Sequence, residues 1–242
     1  MYATVLAAVE LHETLNPKIW NSDNTLREDV RDKLNEVVDE FAASIDLPLT
    51  ILDAHIVGSN ASFNYTEYSD LDLHCIVNFK SIDADPAITE AWMWAQKALF
   101  NEKYDIAVRG VPVEIYVEDV GANTVSNGIY SLFNEEWIKF PEPIVVEVDE
   151  AAVNAKVNEL LPEIAQVLLS NDLDEVQGLI DDLYLMRKNG LATDGEYGVG
   201  NQTFKELRNE GYLDQLKDKV AELRSKELSI VASTLNKAKD RQ

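Results

Sequence analysis

Cysteine is almost absent from this chain: Cys75 is the only one in 242 residues. An intramolecular disulfide is therefore excluded, and a reducing compartment, the cytoplasm, is the expectation. Basic residues are scarce too. Only 21 Lys and Arg stand against 44 Asp and Glu, a formal net charge of −23. Such a balance repels a phosphate backbone, so binding along a long nucleic acid is not expected, although a local basic pocket for a nucleotide is compatible with it. Long apolar runs are missing as well. None reaches the ~18 residues needed to cross a bilayer. The short run Tyr2–Val9 ends at Glu10 and has no basic segment before it, so neither a membrane partner nor a signal peptide is expected. Internal repeats and low-complexity linkers are also lacking. Hydrophobic residues make up 46% of the chain, enough for a substantial core in one large or two small domains.

The order of patterns favours an α+β first half and a helical second half. Met1–Leu15 reads as a short helix closed by Asn16-Pro17. Leu26, Val30, Leu34, Val37, Val38, Phe41 and Ile45 recur at helical spacing, and Asp46-Leu47-Pro48 stops that helix. Residues 49–57 and 70–79 read as strands. Pro86 opens a helix whose apolar side is Ile88, Trp92, Ala95, Leu99 and Phe100. Ile106–Val108 and Val111–Val117 flank Arg109-Gly110 as a hairpin, and Ile144–Val148 suggests one more short strand. From Ala151 the spacing is helical, with helices around Val153–Leu168, Val176–Met186, Phe204–Arg208 and Leu213–Leu235. The expected boundary lies near Asp149, giving domains 1–149 and 150–242.

The stretch from Ile56 to Phe79 carries the chemistry. Gly58-Ser59 ends the first strand, and Asp70-Leu71-Asp72 opens the second. Strand alternation puts Asp70, Asp72 and His74 on one face and Leu71, Leu73, Cys75 and Val77 on the other. At ~3.3 Å per residue, Asp70 and Asp72 are ~6.6 Å apart along the backbone, close enough for both carboxylates to meet one ion. Two acids so placed repel each other, and a divalent cation removes the repulsion. Oxygen-only ligands favour a hard ion such as Mg²⁺, which keeps positions for water and substrate phosphates. Glu114 is a third acid, on the same face of its strand as Tyr116 and between apolar neighbours.

Gly58-Ser59, a spacer of ten residues, Asp70-Leu71-Asp72-Leu73, and Val113-Glu114-Ile115 on a later strand resemble the signature of the nucleotidyltransferase superfamily that includes DNA polymerase β. The resemblance covers about Leu49 to Val117. The whole chain, including Leu15–Trp20 and Phe204–Arg208, is also similar to predicted nucleotidyltransferases carried by tailed phages, which would place it in a host cytoplasm. The resemblance implies a nucleotidyltransferase-like mixed sheet with flanking helices, followed by a helical C-terminal domain. It implies an enzyme that moves a nucleoside monophosphate from a nucleoside triphosphate, ATP among them, to an acceptor hydroxyl with release of pyrophosphate. Gly58 and Ser59 would hold the triphosphate. Asp70 and Asp72 would hold two Mg²⁺ ions, or Mn²⁺. Glu114 would complete the ion that activates the acceptor, or deprotonate the acceptor itself. A glutamate here replaces the commoner aspartate.

An acid pair on a half-exposed strand is ordinarily a solvated face; the Gly-Ser turn at matching distance is what weighs against that here. His74 reads first as a hydrogen-bonded structural histidine, and Cys75 as inert packing. Tyr65 and Tyr68 could stack on a base, but partial packing is the usual role of loop tyrosines. Lys205 and Arg208 lie three apart on a helix and face the same way, as candidate triphosphate ligands beside Arg187 and Lys188; ordinary surface charge is the competing reading. Trp92 and Trp94 cannot both face a core from one helix. The acceptor stays open among a small molecule, a protein side chain, a nucleotide and a tRNA end, and the expected site is a cleft between the two domains. Two alternatives stand beside the transferase: a non-catalytic nucleotide- or protein-binding factor on the same fold, and a pyrophosphokinase of the alarmone type, which would release AMP.

Overall fold

The computed structural model describes residues 11–47, 49–82, 85–143 and 148–229. They fall in two compact units, one within Val9–Val145 and the other within Val146–Gln242. In the first unit the elements are α1 (Glu28–Ala43), β1 (Ile51–Val57), β2 (Leu71–Val77), α2 (Pro86–Lys103), β3 (Ala107–Val108), β4 (Val111–Asp119), β5 (Ile129–Ser131) and β6 (Glu136–Lys139). The second holds α3 (Glu150–Leu169), α4 (Leu173–Thr193), α5 (Val199–Asn209) and α6 (Tyr212–Leu228). Among the described residues, then, the chain is a mixed α+β protein with an open six-stranded mixed sheet and flanking helices.

The strand order is β3-β4-β2-β1-β5-β6. β2 and β4 are parallel, and the other neighbours are antiparallel. The parallel pair follows from the connection: α2 lies between them in sequence, and a crossover helix is what parallel strands require. One face of the central strands is aliphatic. Leu71, Leu73, Cys75 and Val77 are fully buried, together with Ala54 and Ile56 of β1. α1 brings Val30, Leu34, Val37, Val38 and Phe41 to the same core. Each such side chain contributes ~1.5–3 kcal/mol of burial. The opposite face carries Asp72, His74, Glu114 and Tyr116, all half-buried.

Helix α2 covers the outer side of β4. The two-residue β3 pairs only with Val111 and Pro112, which would leave the later residues of that edge open. Asn101 of α2 closes it: its amide donates to the Ile115 carbonyl (2.9 Å) and its oxygen accepts the Ile115 N–H (3.1 Å). Asp85 caps the helix by accepting the Ala87 N–H, and Pro86 occupies the first turn.

The apolar side of α2 differs from the sequence expectation. Thr89, Met93 and Phe100 are buried, while Ile88 is 61% and Leu99 59% exposed. A helix seated against a sheet edge turns a narrow stripe inward, so its hydrophobic residues do not all report the core. Trp92 packs against the core and Trp94 is exposed, one tryptophan on each side. Other expectations shift as well. Leu11–Leu15 is irregular rather than helical, and the rest of the expected N-terminal helix lies outside the described residues. Most of the expected strand at Ile144–Val148 and the end of the helix expected to reach Leu235 also lie outside them. β5 and β6 were not legible: they are short, and Tyr130, Leu132 and Trp137 do not alternate cleanly with polar residues.

The helical unit has its own core of Val153, Val157, Ile164, Leu179, Leu183, Phe204, Leu207 and Leu216 among others. Asp149 caps α3 through the Ala152 N–H, and Asp172 caps α4 through those of Asp174 and Glu175. α4 and α5 approach closely at Gly190 and Gly200; a Cβ on Gly190 would sit 3.0 Å from the Asn201 nitrogen.

Candidate metal centre

The acids meet where β1 ends and β2 begins. Val57 pairs with Asp72, and Asp72 pairs with Glu114 across the parallel ladder, so the register itself puts the second and third acids side by side. Asp70 comes just before β2. One ligand oxygen from each of Asp70, Asp72 and Glu114 lies within 4.8 Å of the other two, and all three residues are half-buried. Three carboxylates with no nitrogen or sulfur donor form a set suited to a hard divalent cation. Like charge at this separation is costly in isolation, and an ion at the centre reverses the cost.

Gly58 lets this happen. Its φ is +73°, and a Cβ built there would lie 2.0 Å from Oδ2 of Asp72. The Asp72 carboxylate therefore rests on the bare backbone of the turn. Only glycine leaves that space, and only glycine takes that φ without strain. The turn continues as a short 3₁₀ segment, Ser59–Ala61. The Gly58 N–H donates to Ser126 Oγ (3.2 Å), and the Ser59 hydroxyl donates to Ser69 Oγ (2.8 Å).

Asn60 locks turn and acids together. It is fully buried, and its amide donates to the carbonyls of Asp70 (2.7 Å) and Ser69 (3.3 Å). Its side-chain oxygen accepts from Asn16 (2.7 Å), and its carbonyl accepts the Trp20 indole N–H (2.7 Å). Trp20, 2% exposed, packs on Trp137 and Tyr130. Trp20 thus pins the turn beneath the acids.

Lys97 of α2 lies 3.3 Å from Oε1 of Glu114 and 3.7 Å above the ring of Tyr116. Burial raises the Tyr116 hydroxyl far above its ordinary range, with Glu114 and then Asp72 adding to the effect. It remains a proton donor. One step further along the strands, His74 faces His55 across the ladder, and His74 Nδ1 lies 2.9 Å from Glu118. Desolvation lowers the His74 pKa, outweighing the opposite pull of Glu118, with His55 and Lys97 also lowering it. His74 is thus a partly buried histidine paired to a carboxylate outside the triad. Burial pushes the Cys75 thiol up to about 12, as inert packing requires.

The other expected site residues lie on other segments of the chain. Tyr65 stacks on His12 at 3.8 Å, and Tyr68 is 46% exposed. Lys205 and Arg208 are on α5 in the helical unit, where Lys205 donates to Glu196 (3.0 Å) and Arg208 is exposed. Arg187 lies over the Phe204 ring, and Lys188 is exposed. Sequence reasoning missed Asn60, Ser69, Ser126 and Lys97. Asn60 directly follows Gly58-Ser59 and was open to notice; nothing in the local pattern around Lys97 separates it from a surface lysine.

No protein-family model, curated protein or solved structure matches this chain. Among the described residues, no helix is long and apolar enough to cross a membrane.

Proposed function

We propose that the chain is a Mg²⁺-dependent nucleotidyltransferase on a nucleotidyltransferase-like fold, moving a nucleoside monophosphate from a nucleoside triphosphate to an acceptor hydroxyl. The observation that carries this reading is the convergence of Asp70, Asp72 and Glu114 above a glycine whose missing side chain makes room for one of them. A solvated acidic face needs neither the convergence nor the vacated Cβ.

Asp70 and Asp72 would hold two ions, with Glu114 completing one of them. Bound there, the metals would polarise the α-phosphate, lower the pKa of the attacking hydroxyl and neutralise the leaving pyrophosphate. The acceptor oxygen forms a bond to the α-phosphorus while the bond from that phosphorus to the α,β-bridging oxygen breaks. Pyrophosphate departs with the electron pair, and the hydroxyl proton passes to Glu114 or to water. The amide donor of Gly58 is committed to Ser126 and Asn60 is fully buried, so the N–H group of Ser59 is the one assigned to the triphosphate. Asn60 sets the backbone of Asp70, and Lys97 restrains Glu114. Positioning and charge neutralisation then supply most of the rate.

The test uses ATP, GTP, CTP and UTP labelled at the α- or the γ-phosphate, with Mg²⁺ or Mn²⁺, on wild type and Asp72→Ala in parallel. Transfer of the α-label with pyrophosphate release, absent in Asp72→Ala, supports the reading. Transfer of the β,γ-unit with release of AMP makes the protein a pyrophosphokinase. Failure of both labels to move, with no binding of any NTP, leaves a non-catalytic factor.

A further inference from the structure

The sheet face that carries the acids continues into a cavity of ≈ 770 Å³, within the range that holds a small-molecule ligand. β2 and β4 run in the same direction from the acids toward it. The Gly58-Ser59 turn lies at the opposite, N-terminal end of β2, because β1 is antiparallel and its last residue pairs with Asp72. Turn and cavity thus flank the acid row from opposite ends. Tyr116, two residues beyond Glu114 and ~6.6 Å from it along the strand, is where the cavity begins.

The lining has a definite chemistry. Phe79 and Met93 form a buried apolar floor. Glu90, Trp94 and Lys97 also line it, and their spacing on α2 puts them on one face of the helix. Trp94 is 61% exposed, and Lys97 Nζ lies 5.2 Å from its ring centroid. Asp85, Glu118 and Asp119 add three more carboxylates. Among the described lining residues Lys97 is the only Lys or Arg, and it is held by Glu114 and over the rings of Tyr116 and Trp94. The four carboxylates repel a polyphosphate and favour a cation by charge, and the exposed part of the Trp94 ring adds cation–π attraction, while the Tyr116 ring already carries Lys97.

We propose that this cavity binds the acceptor, and that the acceptor is a small amine-bearing molecule with a free hydroxyl. The inference rests on the transferase reading and adds to it the chemical class of the second substrate. The nucleotide keeps to the turn side of the acids. The amine of the acceptor sits among Glu90, Trp94 and the neighbouring carboxylates, and its hydroxyl reaches back past Tyr116 to Glu114. The bonds made and broken are those of the transfer above, with the acceptor oxygen as nucleophile and pyrophosphate as leaving group.

The experiment incubates the full-length protein with α-labelled NTP and Mg²⁺ against pools from a cell lysate: small molecules retained by a cation exchanger, by an anion exchanger or by neither, and macromolecules. The label is expected on the cation-retained pool alone, and to vanish when that pool is first N-acetylated. Trp94→Ala should raise the acceptor KM about tenfold and Glu90→Gln about threefold, the scale of a desolvated cation–π contact and a weaker charge contact. Neither should change kcat or NTP-induced thermal stabilisation. Label on an anionic, neutral or macromolecular acceptor overturns the proposal and leaves the transferase intact. So does a Trp94→Ala variant that loses NTP affinity, which would assign the cavity to the nucleobase. Label that stays on the NTP with every pool removes the transferase reading and this proposal with it.

Discussion

The two units of this protein treat carboxylates in opposite ways. On the sheet, Asp70, Asp72 and Glu114 are drawn together but left half-exposed, where an ion can reach them from solvent. On α5, Glu206 is 3% exposed, among the buried polar residues Gln202 and Thr203, and the charge acting on it is another acid, Glu210. Burial, then Glu210, pushes the Glu206 carboxyl up to about 7. The contrast shows what a charge needs in a folded chain: access to a counter-ion, or a proton. Acidic composition alone predicts neither outcome. Placement on a strand face or a packed helix decides it.

The sharpest way to break this comparison is to fill the space under Asp72. Gly58→Ala puts a Cβ against Oδ2 of Asp72 at a φ of +73°. Mg²⁺-dependent transfer should fall on the order of 10²-fold, the cost of displacing a reacting group by about 1 Å. Gly195→Ala is the control. Its φ is +74°, yet nothing lies within 4 Å of the added Cβ. It should cost about 1–2 kcal/mol of strain, read as a lower melting temperature, and leave transfer unchanged.

A smaller effect separates the buried acid from the exposed ones. Glu206 holds its proton more tightly folded than unfolded, so folding of the helical unit weakens as pH rises from about 4.5 through about 7. The loss is on the order of 3 kcal/mol. Glu206→Gln carries no such titration. Its melting temperature should exceed that of wild type at pH 8, with the gap closing at pH 4.5. A gap that does not change with pH would mean that folding leaves the proton affinity of Glu206 unchanged.

The smallest effect concerns Lys97. Its contact with Glu114 offsets part of the repulsion among the acids. Lys97→Met should destabilise the metal-free protein by about 1 kcal/mol. Because Mg²⁺ then removes a larger repulsion, the rise in melting temperature on adding Mg²⁺ should exceed that of wild type. An equal rise would show that Lys97 does not act on the acids electrostatically.

Much of this site was legible beforehand because its determinants are local. Strand alternation through Asp70-Leu71-Asp72 sorted acids from core correctly, and Leu71, Leu73, Cys75 and Val77 are buried as that alternation requires. The hairpin at Arg109-Gly110 was legible for the same reason, and both residues take positive φ. What escaped depended on contacts between distant segments. Asn16, Trp20, Asn60 and Ser126 hold the turn across 40 or more residues of sequence, except for the Asn60–Asp70 link. Lys97 reaches Glu114 only because α2 is seated on the β4 edge through Asn101. The same seating misled the reading of the apolar side of α2, where Ile88 and Leu99 face solvent. Glu206 gave no sign either, since burial of a helical glutamate depends on which helices pack around it.

The central claim is that Asp70, Asp72 and Glu114 form a divalent-cation site, and calorimetric titration of the nucleotide-free protein with Mg²⁺ tests it most directly. Wild type should show saturable binding, and Asp72→Asn should bind at least about tenfold more weakly, since even loss of a group that only supports a metal ligand costs that much. Equal affinity in the two proteins, or no binding in wild type, would contradict the claim.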